Sequence, residues 1–424
     1  MATHPSTTLI SAFKGLNNVL DATSTKVDFL KTAENIDIDK AGGISKRKGY
    51  SLVDTADYKS LWASNNNLGC FALRNGNLVE LTGDLSTNTT LRSGLGSDPI
   101  SFDEVDNKVY YSSNSYRGLI ESGLERDWGV PKNTLAPTLT AINGSLDEGI
   151  YQVAFTYVNS SGIEGGTSIS SQITLSNGSG ISLVIPTITD PDIVYARVYC
   201  STQNGNTLYF ATIGLSGATV TITSQSNLIS PLRTFGLDAP PLGHIVRYYR
   251  GRMFIAQDNI LWYSEPYQYE HFNLQSNYFE FPDRIKEVMP VEDGIWIGSD
   301  RLYYLSGEDA LTFKRSTKEN VKVVEGTSHK VSGSYIHLDN TPIGYKWLVT
   351  ADIGIFILFN QGLIINMTSE NIALDQADSG AGIFIEDNGM NKYLSILKTN
   401  NNPNNAVMGD LVETTIIRNG VVIS

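Results

Sequence analysis

The feature that most constrains the fold of this chain is a hairpin signal that returns at several places. Residues 249 to 268 read YRGRMFIAQDNILWYSEPYQ, in which apolar residues alternate with others on both sides of a polar tip, Gln257-Asp258-Asn259. Alternation with a period of two around a short polar turn is typical of a strand, a turn and a second strand. A chain that repeats this unit is expected to fold into small antiparallel sheets.

Five other stretches follow the same plan, in which a turn of Asn, Asp or Gly precedes a strand rich in aromatic and β-branched residues. They are RNGNLVEL at 74–81, VDNKVYYS at 105–112, VEDGIWIG at 291–298, TADIGIFIL at 350–358 and EDNGMNKYLSIL at 386–397. The intervals in the second half of the chain bracket the roughly 40 to 50 residues of a four-stranded propeller blade. The repeat therefore predicts an all-β chain with a β-propeller of about six blades.

A block of different character interrupts the series. Residues 137–236 are rich in Thr, Ser and Gly, and they contain long alternating stretches such as DEGIYQVAFTYVN and IVYARVYC. A length of about 100 residues with this strand spacing is typical of an immunoglobulin-like or fibronectin-like β-sandwich. We therefore expect an N-terminal arm and first blades in residues 1–136, an inserted sandwich in 137–236, and the remaining blades in 237–424.

Charge and cysteine content exclude several classes of function. The 31 basic and 44 acidic side chains among 424 residues give a net charge of −13, which disfavours tight general binding to DNA. Cys70 and Cys200 lie too far apart in sequence to suggest a disulfide framework or a cysteine metal site. The N-terminus lacks a signal-peptide pattern, and no apolar run reaches the length of a membrane span. We expect a soluble protein made in a cytoplasm.

Two stretches resemble a known family, the tail hub or nozzle proteins of short-tailed bacteriophages, which include packaged-DNA stabilisation proteins. The first stretch is FKGLNNVLDATSTKVDFLKTAENIDIDKAGGISKRKGY, and its matching positions are Phe13, Gly15, Leu16, Asn17, Ala33, Asn35, Gly43, Arg47 and Gly49. The second runs from residue 248 to residue 307, and its matching positions are Gly251, Arg252, Ala256, Ser264, Glu265, Pro266, Pro290, Val291, Asp293 and Gly294.

The resemblance implies a structural protein of the virion. Members of the family are propeller subunits, commonly six to a ring, that form a tube below the portal and adaptor rings. The tube holds packaged double-stranded DNA without sequence specificity and passes it at ejection. Implied partners are other copies of the chain as a likely hexamer, the portal-adaptor proteins, and tail fibres or a tail needle. Implied localisation is the phage tail, assembled in the host cytoplasm.

Residue chemistry offers little support for catalysis or for a cofactor. The five histidines, His4, His244, His271, His329 and His337, are scattered and fit no metal-ligand spacing. No phosphate-binding loop or nucleophile elbow is present. We therefore expect no enzyme activity, no metal and no cofactor. One alternative remains a glycan hydrolase of a tail or a bacterium. Such an enzyme needs a pair of carboxylates, for which Glu265, Glu292 and Asp293 are the candidates. The other alternative is a glycan-binding adhesin.

Two groups of residues are candidates for contact with partners. Lys46, Arg47 and Lys48 stand together in an acidic chain, and they form either a solvated strand end or a site that pairs with the carboxylates of an adaptor or with DNA phosphates. Tyr267, Tyr269 and Phe272 follow Pro266 in an expected loop, where aromatic side chains are less automatically buried. These three are the candidates for contact with a neighbouring subunit.

Overall fold

The structure is a computed structural model. It describes residues 10–21, 23–33, 35–39, 41–47, 49, 51–226, 228–336, 343–368, 371–372, 374, 377–387 and 390–399, and the short strands at 412–413, 416–418 and 421–423. Apart from two 3₁₀ helices of three residues, Ala310–Thr312 and Asn360–Gly362, the regular elements are β-strands. The all-β prediction is confirmed. No helix of the described residues is long and apolar enough to cross a membrane.

The first ten strands form three small antiparallel sheets. Strands β1 and β2 pair with each other, β3 to β6 form the second sheet in chain order, and β7 to β10 form the third. The bounds are β1 Ile36–Ile38, β2 Ile44–Lys46, β3 Tyr58–Ala63, β4 Cys70–Arg74, β5 Asn77–Leu81, β6 Asn88–Arg92, β7 Ser101–Val105, β8 Lys108–Ser112, β9 Arg117–Glu121 and β10 Leu124–Asp127.

The next seven strands are arranged differently, because sequence neighbours belong to different sheets. The first sheet has the order β11-β14-β17 and the second has the order β13-β12-β15-β16. The bounds are β11 Leu139–Leu146, β12 Gly149–Asn159, β13 Ser171–Leu175, β14 Ser179–Val184, β15 Ile193–Ser201, β16 Leu208–Gly214 and β17 Thr219–Ile222.

The remaining strands return to small sheets in chain order. Strands β18 to β21 form one sheet, to which β22 adds by pairing with β20, and β23 to β26 and β27 to β30 form two more. The bounds are β18 Ile245–Tyr249, β19 Arg252–Gln257, β20 Ile260–Glu265, β21 Gln268–Phe272, β22 Tyr278–Glu280, β23 Glu287–Val291, β24 Gly294–Gly298, β25 Leu302–Ser306, β26 Lys314–Glu319, β27 His329–Val331, β28 Lys346–Ala351, β29 Gly354–Leu358 and β30 Ile364–Asn366.

The last sheet contains five strands. Strands β31 and β32 form a long hairpin, β35 pairs parallel to β32 and antiparallel to β34, and β33 also pairs with β32. The bounds are β31 Ala377–Asp387, β32 Met390–Thr399, β33 Val412–Glu413, β34 Ile416–Arg418 and β35 Val421–Ile423.

Tight turns explain why so many strands fold back on their neighbours. Asn75 and Gly76, between β4 and β5, have φ values of 49° and 78°. Asp106 and Asn107, between β7 and β8, have φ values of 52° and 58°. Two successive positive φ values are the signature of a two-residue hairpin turn whose twist matches that of the strands, and Asn, Asp and Gly adopt them most readily. The predicted turns at 75–76 and 106–107 are confirmed.

Contacts divide the chain into two compact units, one of Met1–Thr55 with Phe281–Ser424 and the other of Ala56–Glu280. Within the second unit, the β3–β6 and β7–β10 sheets share one core, in which Phe71 and Phe102 stack at 6.3 Å between ring centroids. The β7–β10 and β18–β22 sheets share another, and Trp128 donates its indole N–H to the carbonyl of Tyr269 at 3.0 Å. Successive small sheets therefore pack face to face.

The first strands of these three sheets are bonded to one another through side chains. Ser60 Oγ on β3 accepts from the backbone N–H of Ile100, just before β7, at 2.7 Å. Ser101 Oγ on β7 accepts from Val246 N on β18 at 3.0 Å, and Asp103 Oδ2 accepts from Tyr248 N at 2.6 Å. Strands β7 and β18 are thus neighbours although the two-sheet block of β11 to β17 separates them in sequence.

The two-sheet block encloses a core of its own. Both sheets contribute fully buried side chains to it, including Phe155 and Val198 from one sheet and Ile181 and Leu183 from the other. Because strands alternate their side chains, the faces that meet are apolar. The other face of the β13-β12-β15-β16 sheet carries a second, smaller apolar cluster of Ala154, Tyr199 and Leu208. The predicted domain boundaries at 136/137 and 236/237 fall in the segments between β10 and β11 and between β17 and β18, and they stay a prediction.

The first unit repeats the face-to-face packing. The β23–β26 and β27–β30 sheets share a core around Trp296 and Trp347. Trp296 donates its indole N–H to the carbonyl of Phe359 at 2.8 Å, and Trp347 donates to that of Pro290 at 2.7 Å. The β27–β30 sheet also shares a core with Tyr393 of β32. A buried indole reaching the backbone of the next sheet recurs in both units and satisfies a polar group that burial would otherwise leave unpaired.

Candidate functional site

The N-terminal segment is fixed to the first unit by the residues that resemble the phage family. Leu16 forms a parallel bridge with Leu30 and packs against the core of the β27–β30 sheet. Asn17 is buried, donates from Nδ2 to Asn371 Oδ1 at 3.2 Å, and accepts at Oδ1 from Leu20 N at 3.1 Å. These motif residues therefore hold the segment in place and leave contact with partners to others.

The predicted basic cluster lies at the end of β2. Lys46 is exposed, and Arg47 Nε lies 3.4 Å from Asp37 Oδ1 on the paired strand β1. Lys48 lies outside the described residues. Arg47 therefore takes part in a local ion pair, whereas Lys46 extends from a short hairpin whose strand β2 is exposed along its length. Contact of this cluster with DNA or an adaptor stays a prediction.

The second motif of the resemblance builds the β18–β22 sheet. Arg252 is buried, donates from Nη1 to the carbonyl of Ser264 at 2.6 Å, and lies over the ring of Tyr263 at 5.4 Å. A buried guanidinium needs acceptors such as the Ser264 carbonyl because desolvating an unpaired charge is costly. Asn277 Nδ2 donates to Glu265 Oε1 at 2.9 Å. The Glu265 carboxylate is thus used for architecture.

The aromatic loop after Pro266 divides into one exposed ring and two buried ones. Tyr267 has 78% of its surface exposed and a φ of 56°, and its N–H donates to the carbonyl of Gly251 at 2.7 Å. Tyr269 and Phe272 lie on β21 and are buried in the core around Trp128. Of the three interface candidates, only Tyr267 offers its ring to a partner. Sequence reasoning placed all three in a loop because the short strand β21 follows so soon after the turn.

Asp293, a proposed carboxylate of a hydrolase, lies in the turn between β23 and β24. It accepts at Oδ1 from the Tyr304 hydroxyl at 2.6 Å and from Gln361 N at 3.0 Å. Its neighbour Glu292 accepts at Oε1 from Tyr345 N at 2.5 Å. Both carboxylates bind the backbone or a side chain of adjacent segments, which is a turn-stabilising role.

A Tyr-carboxylate-Arg cluster joins β6 to β10. Arg92 Nη1 lies 3.0 Å from Glu125 Oε1 and 2.6 Å from Asp127 Oδ1, and the Tyr111 hydroxyl donates to Glu125 Oε1 at 2.5 Å. We call these four residues the β6–β10 seam. Tyrosine, carboxylate and arginine are also the groups of some glycan hydrolases. The same three groups meet at Glu164 with Arg197 and Tyr199, and at Asp300 with Arg301 and Tyr303.

Burial gives the seam a structural role. Tyr111 has no exposed surface, and Gly118 and the core of the β3–β6 and β7–β10 sheets enclose its ring. Burial raises the pKa of the Tyr111 hydroxyl, and the Glu125 charge raises it further. A nucleophile must be accessible and readily deprotonated, so this tyrosine is unsuited to attack on a sugar. The seam seals two sheets together.

Three of the five histidines, His244, His271 and His329, lie among the described residues. His271 Nε2 lies 2.6 Å from the carbonyl oxygen of Glu164, and burial lowers the pKa of His329 on β27. His4 and His337 lie outside the described residues. Among the residues that the structure describes, no group of three or more His, Cys, Asp or Glu could hold a metal ion.

Sequence reasoning missed a second basic stretch, which lies on the surface of the first unit. Strand β26 and the residues after it read KRSTKENVK from Lys314 to Lys322, with four basic residues and one acidic residue. Strand β26 is the last strand of the β23–β26 sheet, and it pairs with β25 on one side. The signal was available, because four of nine residues are basic in a chain where 31 of 424 are. The basic residues are separated by other residues, so no run of three adjacent basic residues marks the stretch as Lys46 to Lys48 do.

Comparison with known proteins identifies no family. No protein-family model matches the chain, and no curated protein matches it. Among solved structures, the chain is similar to BBS1N, which was crystallised in complex with ARL6DN, at 10% identity over 82% of this chain and 90% of that one, with a TM-score of 0.31. Hsv2 of Kluyveromyces lactis gives 7% identity over 87% and 97%, with a TM-score of 0.31.

A third similar structure is Sqt1 of Saccharomyces cerevisiae, at 10% identity over 75% of this chain and 86% of that one, with a TM-score of 0.22. Likenesses at these TM-scores carry no argument about what the chain does. Its function has to be argued from its own residues.

Proposed function

We propose that this chain is a tail hub or nozzle subunit of a short-tailed bacteriophage. In this proposal each copy is a propeller of about six blades with an inserted immunoglobulin-like or fibronectin-like sandwich. Copies form a closed ring below the portal and adaptor, which retains packaged DNA and passes it at ejection. The proposal assigns no catalytic role.

The observation that carries the proposal is the bonding of β7 to β18 on either side of the two-sheet block. Ser101 and Asp103 accept from the backbone of β18 across 145 residues of sequence. Such neighbours are expected where a sandwich is inserted between two consecutive blades of a propeller. The resemblance to the phage family, carried by the motifs around Phe13 to Asn17 and Gly251 to Pro266, implies a propeller subunit.

The attachment of the N-terminal segment gives further support. Asn18 N donates to the carbonyl of Asn371 at 3.0 Å, beside the bond between Asn17 and Asn371. The beginning of the chain thus packs against its C-terminal third within one compact unit. A propeller needs its first and last parts to meet, because a ring of sheets is closed only when its two ends are joined.

The charge balance suits a conduit for DNA. With a net charge of −13, the chain as a whole repels a polyanion, so DNA would slide without being held phosphate by phosphate. A ring of like subunits built by a repeated head-to-tail contact closes on itself and buries its own contact surfaces. Tyr267 is our candidate for that contact, since its ring is exposed beside the turn at Gly251.

The test is the mass of the purified chain by light scattering, followed by electron microscopy with and without a portal-adaptor complex. We expect a ring of about six subunits, formed either by the chain alone or on the adaptor, with a hole wide enough for duplex DNA. A persistent monomer that ignores the adaptor would overturn the proposal.

A pair of variants locates the contact. Tyr267→Asp should prevent ring formation, because it places a charge where an aromatic ring would be buried between copies. Leu311→Asp is the matched control, since Leu311 is also 73% exposed and the added charge is the same. Equal behaviour of the two variants would remove Tyr267 from the interface while leaving the ring itself to be judged by the wild-type mass.

A further inference from the structure

We propose that strand β26 and the residues after it, Lys314 to Lys322, form a contact site for the phosphate backbone of double-stranded DNA. The choice of DNA as the polyanion rests on the proposed function. The site itself rests on charge, position and side-chain support in the described residues. It would be the place where an otherwise repelling surface touches the DNA that it retains.

The charge of this stretch is opposite to that of the chain. Lys314, Arg315, Lys318 and Lys322 count +4 and Glu319 counts −1, which gives +3 in a chain of −13. Within the described residues, Lys314, Lys318 and Lys322 form no ion pair with a carboxylate. Their ammonium groups therefore remain available to an external anion.

The geometry presents these charges in a row. Lys314 pairs in register with Ser306 and Arg315 with Leu305, so β26 runs along β25 as the outer strand. Lys318 is the extra residue of a β-bulge, since Thr317 pairs with Tyr303 and Glu319 with Leu302. Its ammonium group lies over Tyr304, which is on the same face of β25 as Ser306, the residue opposite Lys314. Lys314 and Lys318 therefore share a face, and their Cα atoms lie less than about 13 Å apart at ~3.3 Å per residue. Two ammonium groups at this separation would reach different phosphates of one duplex. Lys322 continues the row beyond the end of β26.

Aromatic rings support the basic side chains. Lys318 Nζ lies 5.6 Å from the centroid of the Tyr304 ring, and Arg315 Cζ lies 5.6 Å from that of Phe281. Lys322 is positioned by its backbone, since its N–H donates to Asp352 Oδ1 at 3.1 Å and its carbonyl accepts from Asp352 N at 3.0 Å. Side chains already held against rings lose less conformational entropy on binding.

A lysine on an edge strand also has a simpler use, which is to prevent pairing with the edge of another sheet. That use is met by one or two charges, whereas four basic residues in nine exceed it. An acidic protein partner would be expected to add an aromatic or aliphatic anchor. The exposed side chains of β26, Lys314, Arg315, Thr317 and Glu319, are charged or hydroxylic, and the exposed Leu311 lies before the strand, in the 3₁₀ helix Ala310–Thr312. The observations therefore favour a phosphate backbone.

The experiment measures binding of the full-length chain to a short labelled duplex by fluorescence anisotropy over a range of salt concentrations. The test variant combines Lys314→Gln, Lys318→Gln and Lys322→Gln. The control combines Lys26→Gln, Arg233→Gln and Lys398→Gln, three exposed positions outside this stretch. Both variants have 28 basic and 44 acidic side chains, hence the same net charge of −16.

We expect the test variant to bind more weakly than the control and with a smaller salt dependence. The slope of log K against log salt should fall by ~0.9 for each lost phosphate contact, or about 3 in all. Lys→Arg at the same three positions should restore binding, which excludes misfolding as the cause. Equal binding by the test and control variants would overturn the inference.

Light scattering of the same samples separates this inference from the proposed function. A ring that assembles normally while both variants bind DNA equally would leave the nozzle proposal standing and sink the DNA site. Salt-dependent DNA binding through β26 by a chain that stays monomeric on its adaptor would do the reverse. If the test variant fails to assemble while its DNA binding matches the control, β26 is a contact between copies and the inference is wrong.

Discussion

Strands β10 and β26 hold the same place in their respective sheets and use charge in opposite ways. Each is the last strand of a four-stranded sheet that runs in chain order. In β10, Glu125 and Asp127 are paired with Arg92 of β6, and Arg126 lies 3.5 Å from Glu121. In β26, three lysines on the strand and just after it have no ion pair among the described residues.

The difference shows that the surroundings of an outer strand decide the role of its charges. Strand β10 has β6 of the preceding sheet beside it, so the Glu125 carboxylate is largely buried and joins the two sheets. On β26, Lys318 Nζ and Arg315 Cζ lie over aromatic rings of their own unit, and Lys314 is exposed. Charged residues on the last strand of a sheet can therefore either bind a neighbouring sheet, as on β10, or remain on the surface, as on β26.

The largest effect is expected from breaking the seam. Arg92→Leu should lower the free energy of unfolding by about 2 to 3 kcal/mol, because it leaves the Glu125 carboxylate, whose side chain is 11% exposed, without its cation. The expected loss is smaller than that for a fully buried ion pair, because the second partner of Arg92, Asp127, is 54% exposed and solvent screens its charge. Urea unfolding followed by circular dichroism measures the loss.

Lys318→Leu on β26 is the matched control for Arg92→Leu. Each substitution replaces a basic side chain that lies beside a tyrosine, Tyr304 for Lys318 and Tyr111 for Arg92. We expect a change within about 0.5 kcal/mol, as for a surface position. If the two variants lost equal stability, the contrast between seam and surface would be broken.

A smaller loss is expected from removing only the hydroxyl group of the seam. Tyr111→Phe keeps the buried ring and deletes the 2.5 Å bond to Glu125. Because Arg92 still pairs with the carboxylate, the cost should be about 1.5 to 2 kcal/mol, the low end of the range for a hydrogen bond to a charged group. The same unfolding experiment checks it, and a loss as large as that of Arg92→Leu would mean that the ion pair adds little.

The pH dependence of the Tyr111→Phe effect tests the burial of the hydroxyl. The pKa of Tyr111 is raised in the folded chain by burial and by Glu125. The stabilisation it provides is present in full below the tyrosine pKa of the unfolded chain, about 10, and is lost as pH rises above that value. The advantage of wild type over the variant should therefore narrow in alkaline solution. An advantage that is constant to high pH would contradict the assignment.

Much of the local structure could be predicted from the sequence, because it depends on neighbours along the chain. The turns at Asn75-Gly76 and Gly251 and the strands on either side of them follow from residue type and alternation. The polar turn at Asp352 before the buried strand β29 was predicted on the same grounds. In each case the deciding interactions span a few residues.

What could not be predicted depends on contacts between distant segments. Whether Tyr269 and Phe272 are core or surface is decided by Trp128, more than a hundred residues earlier in the chain. The pairing of Arg92 with Glu125 likewise joins two sheets, and no spacing in the sequence announces it. The basic row on β26 was overlooked for a different reason, since its charges are spread over a strand instead of standing side by side as in Lys46 and Arg47.

The smallest effect on stability is expected at the lysines of β26, which we propose to contact DNA. Replacing Lys314 and Lys318 together by Glu should change the free energy of unfolding by about 0.5 kcal/mol or less, because neither ammonium group has a carboxylate partner among the described residues to lose. The same double substitution, Lys314→Glu with Lys318→Glu, should abolish DNA binding, since it turns two attractions into repulsions. Denaturant unfolding and DNA titration of one preparation measure both. A large loss of stability would show that β26 serves the fold as β10 does, and the two outer strands would then differ only in sign of charge.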